Sequence, residues 1–205
     1  MRTFFISDTH FNHKNIMKYE PIRVDATAQY MVERQAVGSF EEAKAWILSC
    51  LETEASLKEA LRWHNEMIIA QWNKTVRPDD NVWFLGDLGF GTISELKEIV
   101  PRLNGQKRMI YGNHDNKPIS FYYDCGFVFV SRYPIILKGF FVLSHAPMPY
   151  ITDNTPFFNI FGHVHSHSAY ATHTSNSQCV CVERQNFMPI TIKEYDAYTP
   201  PTEEE

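Results

Sequence analysis

The chain has 205 residues, of which 44% are hydrophobic and 14% aromatic, with a formal net charge of −5 and a pI near 6.0. That length suits one domain with a substantial core, and the aromatic content excludes a chain that is disordered throughout. A mildly acidic balance supplies no field for broad binding to nucleic acid or to an anionic membrane.

The first element is the apolar run "TFFISD", residues 3–8, about the length of a buried strand. It delivers Asp8 and, two residues on, His10. No charged n-region or apolar h-region precedes Asp8, and no run approaches the length of a membrane span, so a cytoplasmic protein with no membrane partner is expected. Helices follow. "SFEEAKAWILSCLE" opens with a capping box, Ser39 and Glu42, and lines up Phe40, Ile47 and Leu51. "SLKEALRWHNEMIIAQWNKTV" repeats the pattern with Ser56 and Glu59, burying Leu57, Leu61, Ile68 and Trp72. A second strand, "VWFLGD", ends at Asp87, and "TISELKEIVPRLNG" reads as a short helix stopped near Pro101 and Gly105.

Three more apolar runs end in polar donors: "KRMIYGNH" at Asn113 and His114, "FFVLSH" at His145, and "FNIFGHVH" at His163 and His165. Over all five runs, glycine stands at three exits, where a sharp turn leaves a side chain facing a crevice. "CVCVERQNFMPITIKEY" reads as two strands around a turn, with Cys179 and Cys181 on one face. The four cysteines, at 50, 125, 179 and 181, match no CxxC or zinc-finger spacing and read as reduced thiols. The end, residues 199–205, reads as a solvated acidic tail.

Asp8, His10, Asp87, Asn113, His145, His163 and His165 all fall at strand ends, where sheets flanked by helices gather their ligands. Taken singly, each has an ordinary explanation as a turn residue, a cap or a core histidine. Independent placement of all seven at the ends of apolar runs is improbable. Seven nitrogen and oxygen donors without thiolate suit two divalent ions, with Mn²⁺ first and Fe, Zn²⁺, Ni²⁺ or Co²⁺ as alternatives. A closed structural site would take four. Two ions about 3.5–4 Å apart can hold phosphate oxygens and stabilise an in-line displacement.

The blocks "DTH", "GDLGFG", "GNHD", "SHAP" and "GHVH", in this order, resemble the calcineurin-like metallophosphoesterases from Thr3 to about His165. "DTHFNHKNI" and "CVERQNFMPI" are similar to the small single-domain bacterial and phage-type members, extending the likeness to about Ile192. The resemblance implies an α+β sandwich: two mixed β-sheets face to face, helices outside in four layers, and a dinuclear metal centre at the rim. It implies that Asp8, His10 and His165 hold one metal, and that Asn113, His145 and His163 hold the other. Asp87 would bridge, and a metal-bound hydroxide would attack. His114 would be the catalytic histidine, protonating the leaving alkoxide, with Asp115 orienting it.

The expected substrate is a small phosphodiester or phosphomonoester. A nuclease with the same centre is the alternative, disfavoured by the lack of a basic, aromatic stripe for long nucleic acid. A non-catalytic scaffold is a further alternative, opposed by the complete donor set. Residues 1–198 are expected as a single domain carrying a helical insertion at about 24–62. No motif sets an oligomeric state. His13, His167 and His173 read as solvated loop residues, His64 as packing or exposed, and Lys14, Arg23 and Arg108 as surface.

Overall fold

A computed structural model of the chain describes residues 1–151 and 155–200. Strand β1 (Thr3–Ile6) leads through α1 (Ile16–Tyr19), α2 (Ile22–Glu33), α3 (Phe40–Cys50) and α4 (Glu54–Thr75) to β2 (Asn81–Phe84). Helix α5 (Ile93–Ile99) connects β2 to β3 (Gln106–Ile110), and α6 (Ile119–Asp124) connects β3 to β4 (Phe127–Ser131). These strands pair in the order β1-β2-β3-β4, all parallel. Parallel neighbours need crossovers, and right-handed crossovers repeated in one direction put every helix on one face. The other face is left for a second sheet.

That sheet contains β5 (Ile135–Leu137), β6 (Phe141–Leu143), β7 (Phe158–Phe161), β8 (His173–Thr174) and β9 (Ser177–Cys179), in the order β5-β6-β7-β9-β8. Its three inner strands are parallel and its two edges antiparallel. Phe5, Trp83, Leu85 and Ile110 of the first sheet meet Phe141, Leu143, Phe158 and Ile160 of the second in one buried cluster. Phe4, Ile6, Val82 and Phe84 point the other way, onto Met67, Ile68 and Trp72 of α4 and Leu96 of α5. The alternation of side chains along β1 therefore feeds two cores at once.

This is the expected α+β sandwich, with two differences of detail. The first sheet is purely parallel and only the second is mixed. The helical cover lies over the first sheet. Over the second, Pro147, Met148, Ala169 and Tyr170 gather about the outward Asn159 and Phe161, so a layer of loops stands there. The connections on that side carry proline, serine and histidine without an apolar helical stripe.

Helices α1 to α4 share a third core, with Met17, Val24, Met31, Ala43, Ile47, Leu57 and Leu61 buried together. The Ser39 hydroxyl accepts from the Glu42 amide at 3.2 Å, while the Glu42 carboxylate reaches the Gly38 amide at 3.1 Å. The expected box at Ser56 and Glu59 does not form. Helix α4 begins earlier, at Glu54, and Ser56 pairs with the Thr53 hydroxyl inside the first turn. A full capping box occurs instead at Thr92 and Glu95 of α5. The two strands expected over 179–195 are also corrected. Only Cys179 lies in a strand, and single bridges join Ser7 to Cys181 and Phe5 to Ile190. A 3-10 turn (Val182–Arg184) and α7 (Lys193–Ala197) take up the rest, because Asn186 and Phe187 adopt φ of 50° and 61°, which ends any ladder. The tail expected at 199–205 lies, from residue 201 onward, outside the described residues.

Candidate metal centre

Strands β1, β2 and β3 end on the same side of their sheet, and parallel β6 and β7 end together in theirs. The residues just beyond these ends are the seven donors. Asp8, His10, Asp87, His163 and His165 all have left-handed backbones, with φ of 61°, 49°, 58°, 72° and 46°. Such conformations cost about 1–3 kcal/mol each for side-chain-bearing residues and cluster at functional sites. Close packing beneath holds them. A Cβ on Gly162 would come within 2.5 Å of Asp8 Oδ2, and one on Gly112 within 2.2 Å of Asp87 Oδ1. Glycine at these two exits lets the backbone pass directly under a carboxylate.

Two overlapping groups of donor atoms result, Asp8 with His10 and His165, and Asp8 with Asp87 and His145; within each, all atoms lie within 4.8 Å. His10 Nε2 and His165 Nε2 stand 3.9 Å and 3.8 Å from Asp8 Oδ1. Asp87 Oδ2 lies 3.5 Å from His10 Nε2 and 3.5 Å from His145 Nε2. Asn113 Oδ1 is 2.9 Å from both His145 Nε2 and His163 Nδ1. The Asp8 and Asp87 carboxylates are further pinned by the His163 and His114 amides, each at 2.9 Å.

The electrostatics favour a cation. Burial raises the Asp8 carboxyl above the usual range against the pull of His145 and His165. Burial also raises Asp87, but its hydrogen bond and charge interaction with His145 prevail and hold it low. His145 is pushed up to about 9, because Asp87 and Asp8 outweigh the effect of burial. Burial drives His10 strongly towards its neutral form. Among the described residues, Asp8 Oδ1 and both ring nitrogens of His10 are buried without a hydrogen-bond partner. Orphaned groups of this kind cost about 1–3 kcal/mol apiece, and a divalent ion is a partner for the Asp8 oxygen and for His10 Nε2, the ring nitrogen that faces the carboxylates. The donor set fits metal.

All seven expected donors are thus brought together, and His114 lies at their rim, its ring 5.6 Å from that of His10. Asp115 does not orient the His114 imidazole. Its carboxylate accepts from the backbone amides of Asp87, Leu88 and Gly112 at 2.6, 3.1 and 2.7 Å, so it shapes the two loops. His13 is no solvated loop residue. Its ring stacks on Phe90 at 4.1 Å, and burial lowers its pKa to about 4. Lys14 pairs with Glu54, and Arg108 bonds Asn81.

Two residues of the site escaped sequence reasoning. Arg23 reads as surface in the sequence yet is fully buried. It donates to the carbonyls of Asp8 and Thr9 at 2.6 and 2.9 Å, lies 3.1 Å from His64 Nε2, and is paired with Glu183. Glu183 in turn stands 2.8 Å from His165 Nδ1, fixing that ring from behind. Although burial opposes it, the Arg23 charge holds the Glu183 carboxyl down to about 2. The one available signal was the placement of "VER" straight after the apolar "CVC".

With this geometry in hand, the relatives are informative. The profile of the calcineurin-like phosphoesterase family matches residues 1–183, and the chain belongs to that family. It is 28% identical over 199 residues to the uncharacterized protein MJ1445 of Methanocaldococcus jannaschii, covering 93% of this chain and 87% of that one. It is 30% identical over 117 residues to the Gene 66 protein of Mycobacterium phage L5, covering 55% and 39% of the two chains. The crystal structure of AQ665, a protein of unknown function from Aquifex aeolicus, shares the fold, with a TM-score of 0.60, 24% identity and coverage of 95% and 97%.

Proposed function

We propose that the protein hydrolyses a small phosphodiester or phosphomonoester with a pair of divalent cations, Mn²⁺ before Fe, Zn²⁺, Ni²⁺ or Co²⁺. Residues 1–198 would act as one unit, with the helices at about 24–62 as an accessory to it. Asp8, His10 and His165 would hold one ion, and Asn113, His145 and His163 the other. The observation that carries this is Asp87 Oδ2, set 3.5 Å from a ring nitrogen of each group and so placed to serve both. When bound, the ions would supply Lewis acidity and activate water near neutral pH.

The chain's own residues account for the remainder. The exposed His114 is free to reach a phosphoryl oxygen at the rim. As water adds to phosphorus and the ester P–O bond breaks opposite it, the imidazolium gives its proton to the departing oxygen. Asp115 keeps the Asp87 and Asn113 loops in register for this. Four free, buried cysteines support a reducing, cytoplasm-like setting. Among the described residues no helix is long and apolar enough to cross a membrane.

Hydrolysis of 4-nitrophenyl phosphate and bis(4-nitrophenyl) phosphate with added Mn²⁺ tests the proposal. His114→Ala should lower kcat by roughly 10²-fold or more. Asp87→Ala should abolish turnover and lower the Mn²⁺ bound per chain. Absence of turnover with each of Mn²⁺, Ni²⁺, Fe²⁺ and Zn²⁺ would overturn it.

A further inference from the structure

A cavity of about 740 Å³ runs beside the donor cluster between α4 and α5. His13 and Phe90 line one end, their rings stacked 17° from parallel. The Phe90 ring is 5.2 Å from that of His114 and 5.7 Å from that of His10, so this end adjoins the proposed reaction centre. Leu61 and Ile99 add apolar wall, and Asn65 donates to Asn12 Oδ1 at 2.6 Å, so this amide pair is held in place. At the far end Arg102 and Glu66 form a two-pronged pair at 2.7 Å.

The dimensions and charges say what this space is built for. A phosphoryl group already has the donor cluster, and a pocket of roughly 300–1,000 Å³ accommodates a whole organic molecule. The cationic side chains here are mostly committed: Lys14 to Glu54, Arg62 to Glu59 and Arg102 to Glu66. The cavity is therefore not a second phosphate site. Lys58 and Glu98 add one charge of each sign to the lining. The rest of the uncommitted wall, Leu61 and Ile99, is apolar and, next to the centre, His13 and Phe90 make it aromatic and flat, where a planar ring gains about 0.5–1.5 kcal/mol from stacking beyond its burial.

We infer that this cavity receives the second arm of a phosphodiester, an uncharged heteroaromatic group of nucleoside size, with the phosphorus held at the His114 end. The inference rests on the phosphoesterase reading above and narrows it to diesters with one bulky, flat arm.

The test keeps the leaving group constant and changes the arm. The 4-nitrophenyl diester of thymidine 5′-phosphate is compared with 4-nitrophenyl methyl phosphate, both with Mn²⁺. The nucleoside diester is expected to show at least tenfold higher kcat/KM. Arg62→Trp and Glu98→Trp, at exposed positions on the cavity wall, should bring that ratio close to one without altering the melting temperature. Calorimetry with the uncleaved analogue thymidine 5′-methylphosphonate reads the subsite without turnover, and binding should weaken at least fivefold in both variants. Equal kcat/KM for the two diesters, or equal analogue binding by wild type and variants, overturns the subsite. Failure to hydrolyse any ester, with the analogue still bound in the cavity, would overturn the phosphoesterase reading instead and leave the subsite standing.

Discussion

At the scale of single residues, Arg23 and Glu183 carry a role out of proportion to their distance from the donors in sequence. A buried ion pair gains little net stability over an apolar pair, but removing one partner strands a charge and costs about 3–5 kcal/mol. Arg23→Met is therefore expected to lower the melting temperature by roughly 10 °C for a chain of this size. Glu183→Gln keeps the shape and loses the charge behind His165. Outer-shell partners of ligating histidines are worth about 10–100-fold in metal affinity, and a loss of that order in Mn²⁺ titration calorimetry is the expected result. Unchanged affinity would show that the Glu183 contact does not govern His165. Neither residue was legible beforehand, because a lone arginine on a helix and a lone glutamate after a strand look like surface. What defines them is mutual burial, between positions 160 residues apart.

At the scale of elements, the helix α5 is closed by the Thr92–Glu95 capping box, with both hydroxyl and carboxylate engaged. Losing a cap of this kind costs about 1 kcal/mol, so Thr92→Ala should lower stability by that amount in urea denaturation, with an unchanged m-value. An effect below about 0.3 kcal/mol would mean that packing of Leu96 and Ile99 alone holds the helix. The helices themselves were readable, since their apolar stripes repeat every three or four residues. Helix starts were not: hydroxyl residues at 53 and 56 both satisfy the local rule, and the packing of Leu57 and Leu61 chose between them. The same limit applies to 179–195, where alternation suggested strands that left-handed residues at 186 and 187 prevent.

Across the whole molecule, the end opposite the donors is tied by Asp80, which accepts from the Arg2 amide at 2.8 Å, the Arg77 amide at 3.0 Å and the Arg2 guanidinium at 2.9 Å. Burial works against ionisation, but these donors hold the carboxyl down to about 2. A depressed carboxylate contributes stability above its unfolded pKa and loses it as pH falls through the folded one. Asp80→Asn should thus be about 2 kcal/mol less stable than wild type at pH 7, the scale of hydrogen bonds to a charged group. The gap should shrink between about pH 4 and pH 2. A gap constant with pH would remove Asp80 ionisation as its source. At the other end, where the donors lie, Mn²⁺ at a hundred times its Kd should stabilise the chain by about 2.7 kcal/mol, seen as a rise in melting temperature that a chelator reverses.

Read alone, the sequence determined that five strand ends carry nitrogen and oxygen donors, because a strand's length and the glycine after it are local properties. It also determined the family, through five short blocks in a set order. The tertiary structure decided how the donors group, that Asp87 stands between two of the rings, and that Arg23 and Glu183 stand behind His165. It alone opened a cavity beside them. Those outcomes depend on which faces pack together and how tightly the backbone passes Gly112 and Gly162, and such long-range contacts leave no periodic trace in the order of residues.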